Sequence, residues 1–222
     1  MRVQIIAHTP EPEQVVAAAA RLCYSQAGAE ELLERLSEEE VDRLLSRLEE
    51  SGHLSPFEHV SFTFSIEGVS RALSHQLVRH RIASYSQQSQ RYVSQKQFGF
   101  VTPPSVKGEA LEIFKGQMEA LQEAYNKLVA LGVPKEDARY LLPNATETKL
   151  VATFNCRSLY NFFELRCCQR AQWEIRQLAS KMLSEVKKIA PRLFQKAGPT
   201  CVAKNYCREG EHGCGRLQRR ST

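Results

Sequence analysis

Val60-Ser61-Phe62-Thr63-Phe64-Ser65-Ile66 alternates apolar with hydroxyl side chains in strict period two. That is the pattern of a strand with one buried and one wetter face. Most of what surrounds it is helical. Upstream, Ser37 and Glu40 form a capping-box start for a helix in which Val41, Leu44, Leu45 and Leu48 recur at helical spacing, ending near Gly52. Downstream, a helix is predicted from about Ser70, with Leu73 and Leu77 on one face, delivering Arg79 and His80 near its end into a loop rich in Ser and Gln. Further out, Arg2 to Ala7 reads as a strand, and Pro10 opens an Ala-rich helix to about Cys23. After the break at Pro103-Pro104, Leu111, Phe114, Met118, Leu121, Tyr125 and Leu128 keep three- and four-residue steps, a seam suited to packing against another helix and stopped by Gly132 and Pro134. Thr148, Leu150, Ala152 and Phe154 make a second alternating strand, followed by helices from about Arg157 to Cys168 and Gln172 to Ile189. Few strands, separated by helices without βαβ alternation, predict an α+β fold: a single domain with a small, mostly antiparallel sheet flanked by helices.

The chain has 222 residues, 42% hydrophobic and 25% charged, which argues against a disordered, collagen-like or coiled-coil chain. No run approaches the length needed to cross a bilayer, and the N-terminus reads as a strand, so a soluble, cytoplasmic protein is expected. Seven cysteines, an odd number without a CxxC pair, do not suggest a disulfide framework. Cys201, Cys207, Cys214 and His212 match no common zinc spacing, so reduced thiols and no metal are expected there.

Charge is distributed unevenly. From Gly68 to Gly108 there is no Asp or Glu, whereas Arg71, Arg79, Arg81, Arg91, Lys96 and Lys107 lie inside, so the window's excess exceeds the net +5 of the whole chain. A solvated basic face is one reading. A bound anion is the other, favoured because Leu73, Leu77, Val78, Ile82, Tyr85, Tyr92 and Phe98 share the window. Neither a G-x-x-x-x-G-K-[ST] loop nor a strand-borne G-x-G-x-x-G occurs, so phosphate would be held by guanidinium forks, with Arg79, Arg81 and Arg91 suited to the task. His80, between two arginines, is expected to be neutral, able to donate one hydrogen bond and accept another. Ser84, Ser86, Ser89, Gln87, Gln88 and Gln90 form a polar stretch fit to read a sugar or base edge; Ser89 as a nucleophile would need a base that the sequence does not identify. A second polar set is Asn155, Arg157, Asn161, Arg166 and Arg170. Arg157 with Asn161, and Arg166 with Arg170, are i,i+4 pairs on roughly opposite faces of one helix, serving two ligands or else solvated and paired with Glu164 or Glu174. Trp173 reads as core.

Read as one string, Arg79-His80-Arg81-Ile82-Ala83-Ser84-Tyr85-Ser86-Gln87-Gln88-Ser89-Gln90-Arg91 resembles the RHR-x7-S signature of the flavin-dependent thymidylate synthases. Gly52-His53-Leu54-Ser55-Pro56-Phe57-Glu58-His59 is similar to the segment before that family's first central strand. Asn155-Cys156-Arg157-Ser158-Leu159, with Leu165-Arg166 and Ala171-Gln172-Trp173-Glu174-Ile175, is similar to its C-terminal core. The likeness covers residues 1–197 as a catalytic domain and leaves 198–222 as a Cys-containing basic tail.

The resemblance implies a homotetramer with active sites built from several subunits. It implies FAD as cofactor, NADPH as reductant, methylene-tetrahydrofolate as carbon donor and dUMP as the substrate converted to dTMP, with no nucleic-acid or membrane partner. Carried over by position, His53, Ser55, Arg79, His80, Arg81, Gln87, Asn155, Arg157 and Asn161 would touch FAD. Gln76, Arg79, Gln87, Gln88, Ser89, Gln90, Arg91, Arg139 and Arg166 would hold dUMP, with Arg166 as the catalytic residue that stabilises charge building on the uracil ring. Three positions depart from the pattern: Gln87 stands where the family often has Glu, Cys23 where it often has Ser, and Arg170 where it often has His. Two rival readings are a nucleic-acid-binding surface with Tyr85, Tyr92 and Phe98 stacking on bases, and a non-catalytic flavoprotein.

Overall fold

The alternating stretch forms most of the second strand in the computed structural model, which describes residues 1–217. The strands are β1 (Arg2–His8), β2 (Ser61–Ser70), β3 (Ala83–Gln87) and β4 (Glu147–Asn155), in the order β1-β2-β4-β3. Phe62, Phe64 and Ile66 are fully buried, while Thr63 on the other face shares a 2.9 Å hydroxyl contact with Thr153. The amide of Cys156 also donates to Val60 O at 2.8 Å, so residue numbers fall on β2 as they rise on β4, the signature of an antiparallel pair. The four strands make a small antiparallel sheet in an α+β chain.

The helices are α1 (Pro12–Leu22), α2 (Ala29–Arg35), α3 (Glu38–Ser51), α4 (Arg71–Leu77), α5 (Glu109–Ala130), α6 (Lys135–Ala138), α7 (Cys156–Arg166), α8 (Trp173–Ile189) and α9 (Thr200–Ala203), with a short 3-10 turn at Ser55–His59. The first helix opens at Pro12, not Pro10, because Glu11 takes a left-handed backbone conformation (φ 43°) that a right-handed helix cannot include. Ser37 and Glu40 form the reciprocal capping box, and Gly52 at φ 72° ends α3.

Packing divides the chain into two compact units. One comprises residues 1–2, 66–79 and 85–151; the other comprises 3–65, 80–84 and 152 onward. In the first, Val69, Leu73, Leu77, Met118, Tyr125 and Leu150 are buried. The amide of Gln122 ties α5 to the preceding loop, accepting from Phe98 N at 2.7 Å and donating to Gln95 O at 2.8 Å. Along α5, Met118 and Tyr125 are buried and Leu111, Phe114, Leu121 and Leu128 are half-buried, with the Phe114 ring edge-on to Phe100 at 5.9 Å, while Ile113, off that seam, is 62% exposed. In the second unit the core is aromatic: Phe57, Phe62, Phe64, Phe154, Phe162, Phe163 and Phe194 are fully buried, and Phe62, Phe163 and Tyr160 all contact the Phe194 ring. Each such side chain contributes on the order of 1.5–3 kcal/mol by leaving water. Trp173 is not among them. It is half-buried at the first position of α8, where the Gln172 side chain caps the helix by accepting from Glu174 N and Ile175 N.

Two further expectations are revised here. The helix after Ser70 stops at Leu77, so Arg79 and His80 follow it and do not lie within it. The Ser/Gln stretch is a strand over Ala83–Gln87, with Ala83, Tyr85 and Gln87 half-buried and Ser84 and Ser86 exposed. Small polar residues hid that period-two pattern from a reading based on hydrophobicity.

Candidate active site

Asn155 ends β4 and starts α7: its side-chain oxygen accepts from Ser158 N at 2.8 Å, satisfying an orphan amide of the first turn. The same cap directs Arg157 outward, where it pairs with Glu58 of the turn at Ser55–His59. His53, Ser55, Arg81 and Asn161 are exposed in this unit. Arg166, at the far end of α7, donates from Nε to Nε2 of His80 at 3.0 Å. His80 lies edge-on to the buried Phe162 ring at 4.8 Å.

Burial, and then the Arg166 charge, push His80 down to about 4. The imidazole is therefore neutral at ordinary pH with its proton on Nδ1, since Nε2 is the acceptor. The sequence points to a neutral ring through the flanking arginines; its causes are burial and Arg166 of α7. Burial also lowers the pKa of Arg166, whose guanidinium keeps its charge. A cation held by a neutral acceptor retains its full charge for whatever lies beyond it.

Arg170 does not share a helical face with Arg166. The helix ends at Arg166, where Cys167 N donates to Phe163 O, and Arg170 falls in the following turn. Glu164 pairs with neither arginine but with Lys204 and Arg208, and Arg157 pairs with Glu58.

The other unit carries the second group of candidates. Gln76 is half-buried on α4, and Arg79 is exposed just beyond it. Gln87 donates to Thr148 Oγ1 at 3.1 Å, which gives the neutral amide a structural partner at the position where a carboxylate was expected from the family pattern. Gln88 N bonds Lys149 O at 3.0 Å, and Ser89 Oγ accepts from Arg91 N at 3.1 Å. Among the described residues nothing accepts from the buried Nε2 of Gln90. A buried amide donor without a partner costs about 1–3 kcal/mol, so this group fits an acceptor supplied from outside the chain.

Arg91 is not left for an anion alone: Glu136 of α6 forms an ion pair with it. The acid-free window favours a bound anion as the partner of its arginines, but this carboxylate reaches Arg91 through tertiary packing. Arg139 donates from Nε to Glu136 O at 3.0 Å, and burial together with the Arg139 charge lowers the pKa of Arg71. Arg71, Arg91 and Arg139 thus form a cationic group, in which Arg71 is not among the sequence-based site candidates although its charge is counted. Arg79 and Arg81 form no ion pair among the described residues. The nucleic-acid stacking platform loses Tyr85, which is half-buried with its hydroxyl donating to Leu77 O at 3.0 Å. Among the described residues no group of His, Cys, Asp and Glu is arranged to hold a metal, and no helix is long and apolar enough to cross a membrane.

Comparison with known proteins identifies the family. Among the relatives that carry the name flavin-dependent thymidylate synthase, three illustrate the match. That of Clostridium tetani is 53% identical over 234 residues, covering 97% of this chain and 94% of the relative. That of Geobacter sulfurreducens is 54% identical over 220 residues, with the same coverage of 97% and 94%. That of Pyrococcus furiosus is 45% identical over 219 residues, covering 94% and 90%. The family model Thy1, thymidylate synthase complementing protein, matches residues 4–192, which contain both groups of candidates, and the chain belongs to that family.

Proposed function

We propose that this chain is a flavin-dependent thymidylate synthase, converting dUMP to dTMP by reductive methylation with methylene-tetrahydrofolate as carbon donor. The observation that carries the reading is the Arg166 guanidinium fixed by a neutral His80. Hydride attack on the pyrimidine builds negative charge on its N3–O4 side, and a guanidinium held there lowers the barrier electrostatically. The redox chemistry, acceptance of hydride from NADPH and its delivery to the nucleotide, comes from FAD when bound.

The donor set fits that cofactor. Taken unit by unit, Arg79 and Gln87 in one and His53, Ser55, His80, Arg81, Asn155, Arg157 and Asn161 in the other offer guanidinium and polar groups of the kinds that a flavin's pyrophosphate and sugar would meet. For dUMP, Arg91 and Arg139 suit the phosphate, with Glu136 yielding Arg91 to it, and the orphan amide of Gln90 suits a carbonyl or phosphate oxygen. Gln76, Arg79 and the stretch Gln87, Gln88 and Ser89 would complete the contacts to dUMP. The half-buried positions of the α5 seam, Leu111, Phe114, Leu121 and Leu128, leave apolar surface that suits assembly as a homotetramer with shared sites. Residues 1–197 form the catalytic domain, 198–222 the tail, whose last five residues lie outside the described ones. The enzyme works in the cytoplasm on small molecules, not on nucleic acid or membranes.

The purified protein should carry a flavin absorption spectrum. Arg166→Ala should retain FAD while dTMP formation falls by about 10²–10³-fold, the usual loss on removing a transition-state charge stabiliser. Near-normal turnover in that variant would refute the assigned role.

A further inference from the structure

Glu164 sits two residues before Arg166 on α7 and is only 8% exposed. A carboxylate so placed needs cationic partners, because an unpaired buried charge is strongly destabilising. Neither partner comes from the helices around it. Lys204 forms an ion pair with one carboxylate oxygen, and Arg208 Nη2 reaches the other at 2.9 Å, both from the segment after α9. That segment is folded for the purpose: Thr200 and Cys201 are buried, Lys204 N donates to Thr200 O at 2.8 Å, and Asn205 turns the chain in the left-handed region (φ 53°). Asn is among the few residues that tolerate this conformation.

Close packing does not hold the segment down along its whole length. A cavity of about 220 Å³, lined by residues including Leu165, Cys168, Cys207 and Cys214, lies between it and the end of α7. The two ion pairs to Glu164 tie the segment directly to the end of α7 beside that cavity. On a helix, residues two apart point about 200° apart. The last turn of α7 is thus gripped on one side by the tail through Glu164 and on the other by His80 through Arg166. The core holds that turn through Phe163, while its last carbonyls lack intrahelical partners.

We propose that Lys204 and Arg208 are positioning residues for the thymidylate synthase reaction: by clamping Glu164 they fix the final turn of α7 and so the aim of the Arg166 guanidinium. The inference rests on the role given to Arg166 above. It assigns a function to a tail that the sequence left without one. A displacement of about 1 Å in a group that stabilises a transition state is enough to cost about 10²-fold in rate.

The test uses the full-length flavoprotein with Lys204→Ala and Arg208→Ala combined, read by steady-state kinetics and by hydrogen exchange of the amides of residues 163–167. The expected result is a kcat at least about tenfold lower, with FAD content and KM for dUMP within about twofold of wild type, and exchange at 163–167 about tenfold faster. Lys204→Arg with Arg208→Lys, which keeps both charges, should restore both readouts. Should the double alanine variant fail to fold, Glu164→Gln, which keeps the shape and removes the charge, should give the same split at a loss of about threefold. Unchanged exchange at 163–167 overturns the clamp whatever the turnover. Loss of FAD or a raised KM in step with kcat overturns the positioning role in favour of general destabilisation. An inactive wild type would instead sink the assigned activity, with the clamp still judged by exchange.

Discussion

His80 and Arg91 mark what single residues reveal in a sequence and what they conceal. That His80 is neutral could be read from its cationic neighbours, but the partner that matters, Arg166, lies 86 residues away and becomes its neighbour only through folding. Arg91 sits in a window without acids, yet Glu136 reaches it from outside that window. Sequence composition thus reports where charge is lacking along the chain and not where it is lacking in space. The His80 environment has a consequence for stability. Its pKa is lowered from the ordinary 6.5 to about 4, so between those values the unfolded chain binds the proton first. Folding stability contributed by the neutral ring is fully present above about pH 6.5 and is lost as pH falls toward 4. Denaturant titrations of wild type and His80→Gln should therefore converge in stability as pH falls through that window. A difference that does not change with pH would contradict a buried neutral imidazole.

Elements whose signals are local were legible. The capping box of α3 was written in Ser37 and Glu40, and the structure forms both of its hydrogen bonds, at 3.3 and 3.1 Å. Ser37→Ala should destabilise the protein by about 1 kcal/mol, measured by chemical denaturation, because it orphans an amide of the first turn; no change would mean that the box is replaced by water. The β2 and β4 strands were equally plain from alternation. By contrast, β3 was hidden because Ser84, Ser86 and Gln87 give no hydrophobic period, and its strand character comes from pairing beside β4. The end of α7 was misplaced by two residues, enough to take Arg170 off the face of Arg166. Short helices such as α2, α6 and α9 have too few turns to show a period.

For the molecule as a whole, the α+β class followed from the order and scarcity of strands, and the family from the string between Arg79 and Arg91. Packing into two compact units was not legible, since it depends on where β2 and β4 divide between them. The position-by-position assignment of ligands rests on the resemblance together with the cationic groups of both units. Its most direct test is anaerobic: the reduced flavoprotein is mixed with dUMP and methylene-tetrahydrofolate while flavin absorbance and dTMP are followed together. The account predicts flavin oxidation that requires both compounds and yields dTMP mole for mole. Oxidation without dTMP, or a flavin that stays reduced in the presence of both, would contradict it.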